Sequence, residues 1–552
     1  MLTPRPEPDG RASVFADLLD AFFAWYYRAS PVSATFIGVH DHDHRLPDLS
    51  EQGNGDALAA IGTLQARVRD IRDARLPESQ EMDRRLLEGY LEIQRWEYQS
   101  GHFHRGNPCL YTGEAIFGVL SLFLRPFAPL PERVEAAVER MLAIPMWLDQ
   151  GRRNLLGAHP AWIERARREC TGALAFFERG VEDLVRAEGI RHPRFLAAAA
   201  AAAAAFRTFA QYLEIDLPRS ASDACACGAE ALELLLRQGH FIPMNAGEIE
   251  ALGAEHLAAA RAALDSHARA LGAASWREAL AWLADRRPPA ERYETRYTEL
   301  WHQAREAADG HALVTWVDYP IRFVSQPVWA REAAPFLYFL FYRAPAAFDR
   351  VPQVDYLVTP GAHESAIKLT HVIHHAGLGH HLQNWYAYHR AASRFGQVAA
   401  IDCASRIAMF CGGTMAEGWA CYATDLMEEV EFLDSFDLLW LAHTRLRIAA
   451  RAVVDVRLHT GRWTLEEAEA YYRDEAGMSS EAAHAEAVKN SMFPGTGLMY
   501  LVGTAQIHTL RRELAAREPG FELRRFHDRL LSFGSVPVAL IYEAMAGTPP
   551  RL

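Results

Sequence analysis

Cysteine is scarce in this chain: seven in 552 residues, at Cys109, Cys170, Cys225, Cys227, Cys403, Cys411 and Cys421. The number is odd and no Cys-x-x-Cys pair occurs, so neither a disulfide framework nor a thiolate zinc site is expected. Cys225 and Cys227 read as small core or loop residues rather than a redox pair. No apolar run reaches the roughly 18 residues of a membrane span. The nine alanines at 197–205 are too few for that and favour a helix packed closely against its neighbours. Residues 1–10 show no apolar h-region and no small-residue cleavage site, which gives the expectation of a cytoplasmic protein. Positive charge is in deficit, with 57 Lys and Arg against 70 Asp and Glu for a formal net charge of −13. That argues against nucleic acid and membrane as partners and leaves a small molecule or peptide. The Gly-x-Ser-x-Gly elbow, the Walker loop and Gly-x-Gly-x-x-Gly are also missing, so serine-hydrolase, nucleotide and dinucleotide readings have no support.

Most of the chain carries a helical pattern. Residues 14–30, 56–75, 80–103, 131–155, 160–187, 195–216 and 246–272 repeat apolar positions every 3.6 residues, and Pro and Gly mark the joins. Between about 311 and 360 the texture changes. Residues 314–324 and 336–342 are β-branched and aromatic with proline bounds, which predicts a few strands. The expected fold is mainly α, with a small β-sheet near the active-site cleft. A helical half over 1–310 would cover the cleft, and a half over 311–552 would hold the sheet and the site.

Histidine is what the chain has in excess, and at one place. Seven of its 24 histidines fall between His363 and His389. Neutral imidazole is the commonest protein ligand for a transition metal, and so many rings in an apolar pattern need partners. His371 and His375 sit at i, i+4, one helical turn apart, and meet the spacing for a shared ion directly. His374 and His381 are about 10 Å apart along a straight helix, too far. His374 and His380 converge only if Gly377-Leu378-Gly379 bulges or breaks the helix. Spacing alone does not choose the pair. The third ligand should be an acid from another element, and Glu417 is the best candidate. A solvated first-turn acid is an equal alternative for it.

The stretch His374-His375-Ala376-Gly377-Leu378-Gly379-His380-His381-Leu382-Gln383 resembles the motif His-Glu-x-x-Pro-Gly-His-His-Leu-Gln of the DUF885 family, which looks distantly related to zincin-type zinc peptidases. Glu417-Gly418-Trp419-Ala420-Cys421-Tyr422 matches that family's Glu-Gly-Trp-Ala-x-Tyr. Further matches are the run from Ala34 through Gly38, His40 and Asp41 to Asp48, then Asp455 to His459, Trp463-Thr464, Pro494-Gly495, Tyr500 and Gly503. The resemblance implies a large, mainly helical zincin-like fold with a metal at the base of a deep cleft. By position it implies His374, His380 or His381, and Glu417 as ligands. The departures fall on the chemistry. His375 stands where the family has the glutamate base, Leu378 where it has proline, Leu501 where it has lysine, Lys489 where it has arginine and Asn490 where it has tyrosine.

The functional expectation is a metal-dependent hydrolase of a small peptide, amide or related substrate. The cofactor would be a divalent transition metal, zinc first and iron second, since imidazole-rich sites suit these over Mg or Ca. His375 would replace the usual base, and Tyr500 would donate to a developing oxyanion. Arg457 and His459 are candidate substrate-binding residues, with a surface arginine and a satisfied core histidine as equal alternatives. Two other classes stay open: a non-hydrolytic metalloenzyme (oxygenase, lyase or isomerase) with His375 as ligand, and a catalytically inactive binding protein. His40-Asp41-His42-Asp43-His44 resembles a metal-binding tract, although a polar capping loop is favoured.

Overall fold

Each segment marked by the 3.6-residue pattern is helix over most of its described length in the computed structural model, which describes residues 10–72, 75–336, 347–349, 354–398 and 412–550. The reason is local. Helix Ala246–Ala270 opens on an Asn245 cap whose side chain accepts from Glu248 N while Glu248 returns a bond to the Asn245 amide. This reciprocal capping satisfies two of the orphan donors of a helix start. The alanine run lies in helix Phe195–Ile215, and Ala198, Ala199, Ala202 and Ala203 are buried. Small side chains let this helix approach Leu130–Asn154 and Pro160–Ala175 closely. Two long helices ahead of the sheet, Pro108–Leu124 and Tyr293–Gly310, lie outside those segments. Pro108–Leu124 is buried on nearly all sides, so it has no polar face to generate a period.

Among the described residues the only sheet has two strands, β1 (Ile321–Val324) and β2 (Val354–Leu357), paired in parallel. The register sets Arg322 opposite Asp355 and Phe323 opposite Tyr356. The first pair makes a bidentate ion pair at 3.0 Å. The strand expected over 314–324 is thus confined to its last four residues. Of the strand expected over 336–342, Phe336 closes a short 3-10 turn and the rest lies outside the described residues.

A continuous set of buried apolar side chains runs from Phe15 to Met545. Helix Ala246–Ala270 lies along helix Ser435–His459, and Gly253 brings its backbone against Val453 and Ala449. The histidine segment Ile367–Ala376 is wound as a wide-turned π-helix. It packs against helix Tyr293–Gly310 and helix Gly413–Glu429. Lys368 ties its start to Asp437 at 2.6 Å. Extended π-winding is rare and concentrates at functional positions.

The loop after Gly38 is built on His40. Its Nδ1 and Nε2 lie 2.8 Å from Asp43 and 2.7 Å from Asp349, and its ring stacks on Phe127. Burial alone would lower the pKa of His40, but the bonds to Asp349 and Asp43 outweigh it and raise it to about 9. The imidazolium is therefore a structural clamp between two carboxylates. Its stabilisation is complete below the ordinary histidine pKa and is lost as pH rises through about 9. Urea denaturation across pH 6.5–9.5 should show a fall on the order of 1–3 kcal/mol. The fall should be absent in His40→Gln.

Candidate metal centre

The π-helix ends at Ala376, the chain breaks across Gly377-Leu378-Gly379, and a new helix, His380–Arg390, begins. The break requires glycine. A Cβ on Gly379 would stand 1.9 Å from the His374 carbonyl oxygen, and one on Gly377 would stand 2.9 Å from that of Val372. Breaking a helix leaves carbonyls without partners, and buried ones must be satisfied. Two tryptophans do this. Trp301 Nε1 donates to Ala376 O at 2.9 Å, and Trp419 Nε1 donates to Leu378 O at 2.8 Å. Trp419→Phe keeps the packing but orphans the Leu378 carbonyl. Its expected cost is about 1–3 kcal/mol in chemical denaturation.

The result is convergence. Ligand nitrogens of His374, His375 and His380 all lie within 4.8 Å of one another. The rings of His374 and His380 have centroids 4.8 Å apart. Glu417 reaches in from helix Gly413–Glu429. Its Oε2 is 3.2 Å from His374 Nε2 and 3.6 Å from His380 Nε2. Oε2 is buried, yet it makes no hydrogen bond of good geometry. Two donors held by one tetrahedral zinc at about 2.0–2.1 Å stand about 3.3–3.4 Å apart. The carboxylate–imidazole separations match that value, so the residues present fit a metal ion.

Burial pushes the Glu417 carboxyl up, but the imidazoles of His380 and His374 outweigh it and hold it well below the usual range. Burial lowers His374, against the pull of Glu417. Burial and then the rings of His374, His380 and His371 hold His375 well below the usual imidazole value. His375 Nδ1 donates to Thr370 O at 2.6 Å. In the neutral ring this leaves the lone pair on Nε2, the arrangement that orients a ligand or a base.

The Glu-Gly-Trp-Ala-x-Tyr run now has a residue-by-residue reading. Glu417 faces the imidazoles. Gly418 lets helix Met499–Arg517 come so near that a Cβ would be 2.6 Å from the backbone of Gly503. Trp419 holds the chain break, and the Tyr422 hydroxyl meets His527 Nε2 at 2.9 Å. Asp455 accepts from Gly495 N and Leu498 N, so it shapes the loop that leads into the Tyr500 helix.

Several expected site residues are placed elsewhere. His381 is turned away: its Nε2 donates to Tyr319 O at 2.8 Å and its ring stacks on Tyr319. One residue along a helix rotates a side chain by about a quarter turn, which is why His380 and not its neighbour faces Glu417. His371 shares a 2.6 Å hydrogen bond with the Tyr356 hydroxyl of β2, and its ring centroid is 6.2 Å from that of His375. Arg457 is ion-paired with Glu250 at 2.6 Å and stacked on Trp463. His459 is fully buried, with Nε2 donating to Asn490 O and Nδ1 accepting from Cys227 N. Both side chains are engaged by these partners in this structure. Tyr500 is half-buried, with the Arg451 guanidinium 5.0 Å over its ring. Sequence reading passed over Arg447 and Arg451, whose signal was their i, i+4 spacing on the helix that also carries Asp455.

Taken together, these features define a mainly helical protein with a buried imidazole–carboxylate cluster across a broken helix. The chain belongs to the DUF885 family, described as bacterial proteins of unknown function, whose profile matches residues 31–545. Two solved structures share the fold. A candidate lipoprotein of unknown function from Shewanella oneidensis aligns with a TM-score of 0.75 at 20% identity, covering 96% of this chain and 99% of that one. A candidate lipoprotein from Colwellia psychrerythraea aligns with a TM-score of 0.78 at 18% identity, covering 98% of each chain. No curated protein matches. Among the described residues no helix is long and apolar enough to cross a membrane.

Proposed function

We propose that the protein is a metal-dependent hydrolase of a small peptide, amide or related substrate. One observation carries the reading: the buried Glu417 Oε2, without a hydrogen bond, set between the Nε2 atoms of His374 and His380. These three residues would hold a divalent transition metal, zinc before iron, since imidazole and carboxylate donors suit both. Such an ion supplies Lewis acidity toward a carbonyl group. The distant zincin-type resemblance expected of the family points to the same class, with His375 in place of the family's glutamate.

The chain's own residues would do the rest. His375, uncharged and with its lone pair on Nε2, accepts the proton that the family's glutamate would take. Tyr500 donates toward a developing oxyanion. A second reading has specific support: the nitrogens of three imidazoles within 4.8 Å. With His375 as a third imidazole ligand, the site would instead serve a non-hydrolytic metalloenzyme.

His375→Glu separates the two. If His375 is the base, the variant keeps its metal and cleaves a dipeptide or amide panel at least as fast as the parent. If His375 is a ligand, metal content by elemental analysis drops. A parent protein that cleaves nothing on the panel with zinc added would exclude the hydrolase reading. The two solved neighbours are described as candidate lipoproteins, which favours an envelope-associated setting over the cytoplasmic one expected from sequence. Subcellular fractionation tests it.

A further inference from the structure

Helix Ser435–His459 carries Trp440, His443, Arg447 and Arg451 at i, i+3, i+7 and i+11, one face of the helix. Three atoms on this face are buried with no hydrogen-bond partner: Trp440 Nε1, His443 Nδ1 and Arg447 Nε. His443 Nε2 donates to Ala476 O at 2.9 Å, so its Nδ1 is an acceptor. The other two are donors. Buried polar groups are almost always satisfied, so unpaired atoms in a row call for an explanation.

Charge on this face is also unbalanced. Arg451 makes a bidentate pair with Glu486 at 2.8 and 2.9 Å. Arg447 reaches the same carboxylate only at 3.8 Å. Two guanidinium groups thus share one acid. Burial, and then the Arg451 charge, lower the Arg447 pKa, the mark of a cation short of partners.

The helix that carries this face packs against the π-helix Ile367–Ala376, which carries His374 and His375. Trp440 meets the His363 ring edge-on at 4.6 Å, at the head of the histidine segment. At the other end Arg451 lies over Tyr500, and its charge bears on His374.

We propose that this face is an anion subsite beside His374, His380 and Glu417, and that the substrate carries a carboxylate held by Arg447, with Arg451 fixed by Glu486. Arginine suits the role because its planar fork matches a carboxylate. Calling the ligand a substrate rests on the hydrolase reading; the anion site itself does not.

The test uses the full chain stripped of metal by chelation and two probes, N-acetyl-Gly-Phe as the free acid and as its C-terminal amide, measured by calorimetry. The expected result is at least about tenfold tighter binding of the acid, the scale of a charge-assisted bond. The ratio should fall below about twofold in Arg447→Gln. Arg447→Lys, which keeps the charge but loses the fork, should bring it to about threefold and covers the case in which Arg447→Gln does not fold. Equal affinity for acid and amide, no binding of either, or a ratio that both variants leave intact overturns the proposal. The assay contains no metal, so its outcome is separate from that of the hydrolase reading. An acid preference in a protein that never hydrolyses leaves the anion site standing. Hydrolysis without an acid preference removes the subsite alone.

Discussion

Glu417→Gln should lower zinc affinity at least about a hundredfold, because it replaces a charged donor with a neutral amide while leaving the shape of the site unchanged. Without metal the variant should lose stability, because the His380 and His374 imidazoles hold the Glu417 carboxyl well below its usual range and so favour the folded anion. With zinc added, the parent should gain stability and the variant should not. A Glu417 that is structural alone would behave differently: zinc would change neither protein. Denaturation curves of both proteins, with and without zinc, distinguish the two cases.

Gly379→Ala should be among the most damaging alanine substitutions at the described glycines. The added Cβ would lie 1.9 Å from the His374 carbonyl oxygen, 2.6 Å from its carbon and 2.9 Å from the Ile373 oxygen. All three are backbone atoms of the segment that carries the ligands, so relief must move His374 relative to His380. The expected loss is about 3 kcal/mol or more, with metal affinity lost alongside. Gly55→Ala is the control. Gly55 lies inside helix Glu51–Asp70 with nothing near its missing Cβ, so alanine there should be neutral or stabilise by about 0.5–1 kcal/mol. Circular dichroism melts of the two variants test the contrast. Equal melting of Gly379→Ala and the parent would mean that the break tolerates a side chain.

Much of the fold was legible because most helices bury one face and leave the other in water, and that difference writes a period into the sequence. Helix Pro108–Leu124 escaped because it is buried all round. The strands were overdrawn because apolar, β-branched runs such as 314–324 also serve as irregular connections, half-buried or exposed over 315–320, and only Ile321–Val324 finds a partner strand. The candidate site was legible in a different way. Spacing on an ideal helix favoured His371 with His375 and gave His374 with His380 only on the condition of a break. The two glycines supplied that condition. Glu417 was singled out as an acid on another element, and the likeness of its motif ranked it above a solvated first-turn acid, since nothing local separates the two. The departures from the expected arrangement are rotational and long-range. His381 sits one residue from His380, which faces Glu417, and turns toward Tyr319 instead. Arg457 and His459 have the right chemistry, but Glu250, Asn490 and Cys227 occupy them, partners 31 to 232 residues away in sequence that no local pattern reveals.

The central claim is that two imidazoles and one carboxylate, brought together by a glycine break, hold a cation. X-ray absorption at the metal edge, on the purified full chain with its metal content measured by elemental analysis, tests this most directly. The account predicts about one transition-metal ion per chain, with nitrogen and oxygen donors at about 2.0–2.1 Å, and its loss in His374→Ala, His380→Ala and Glu417→Gln but not in His381→Ala. A protein that carries no such ion and takes up none when titrated with zinc or iron would contradict it.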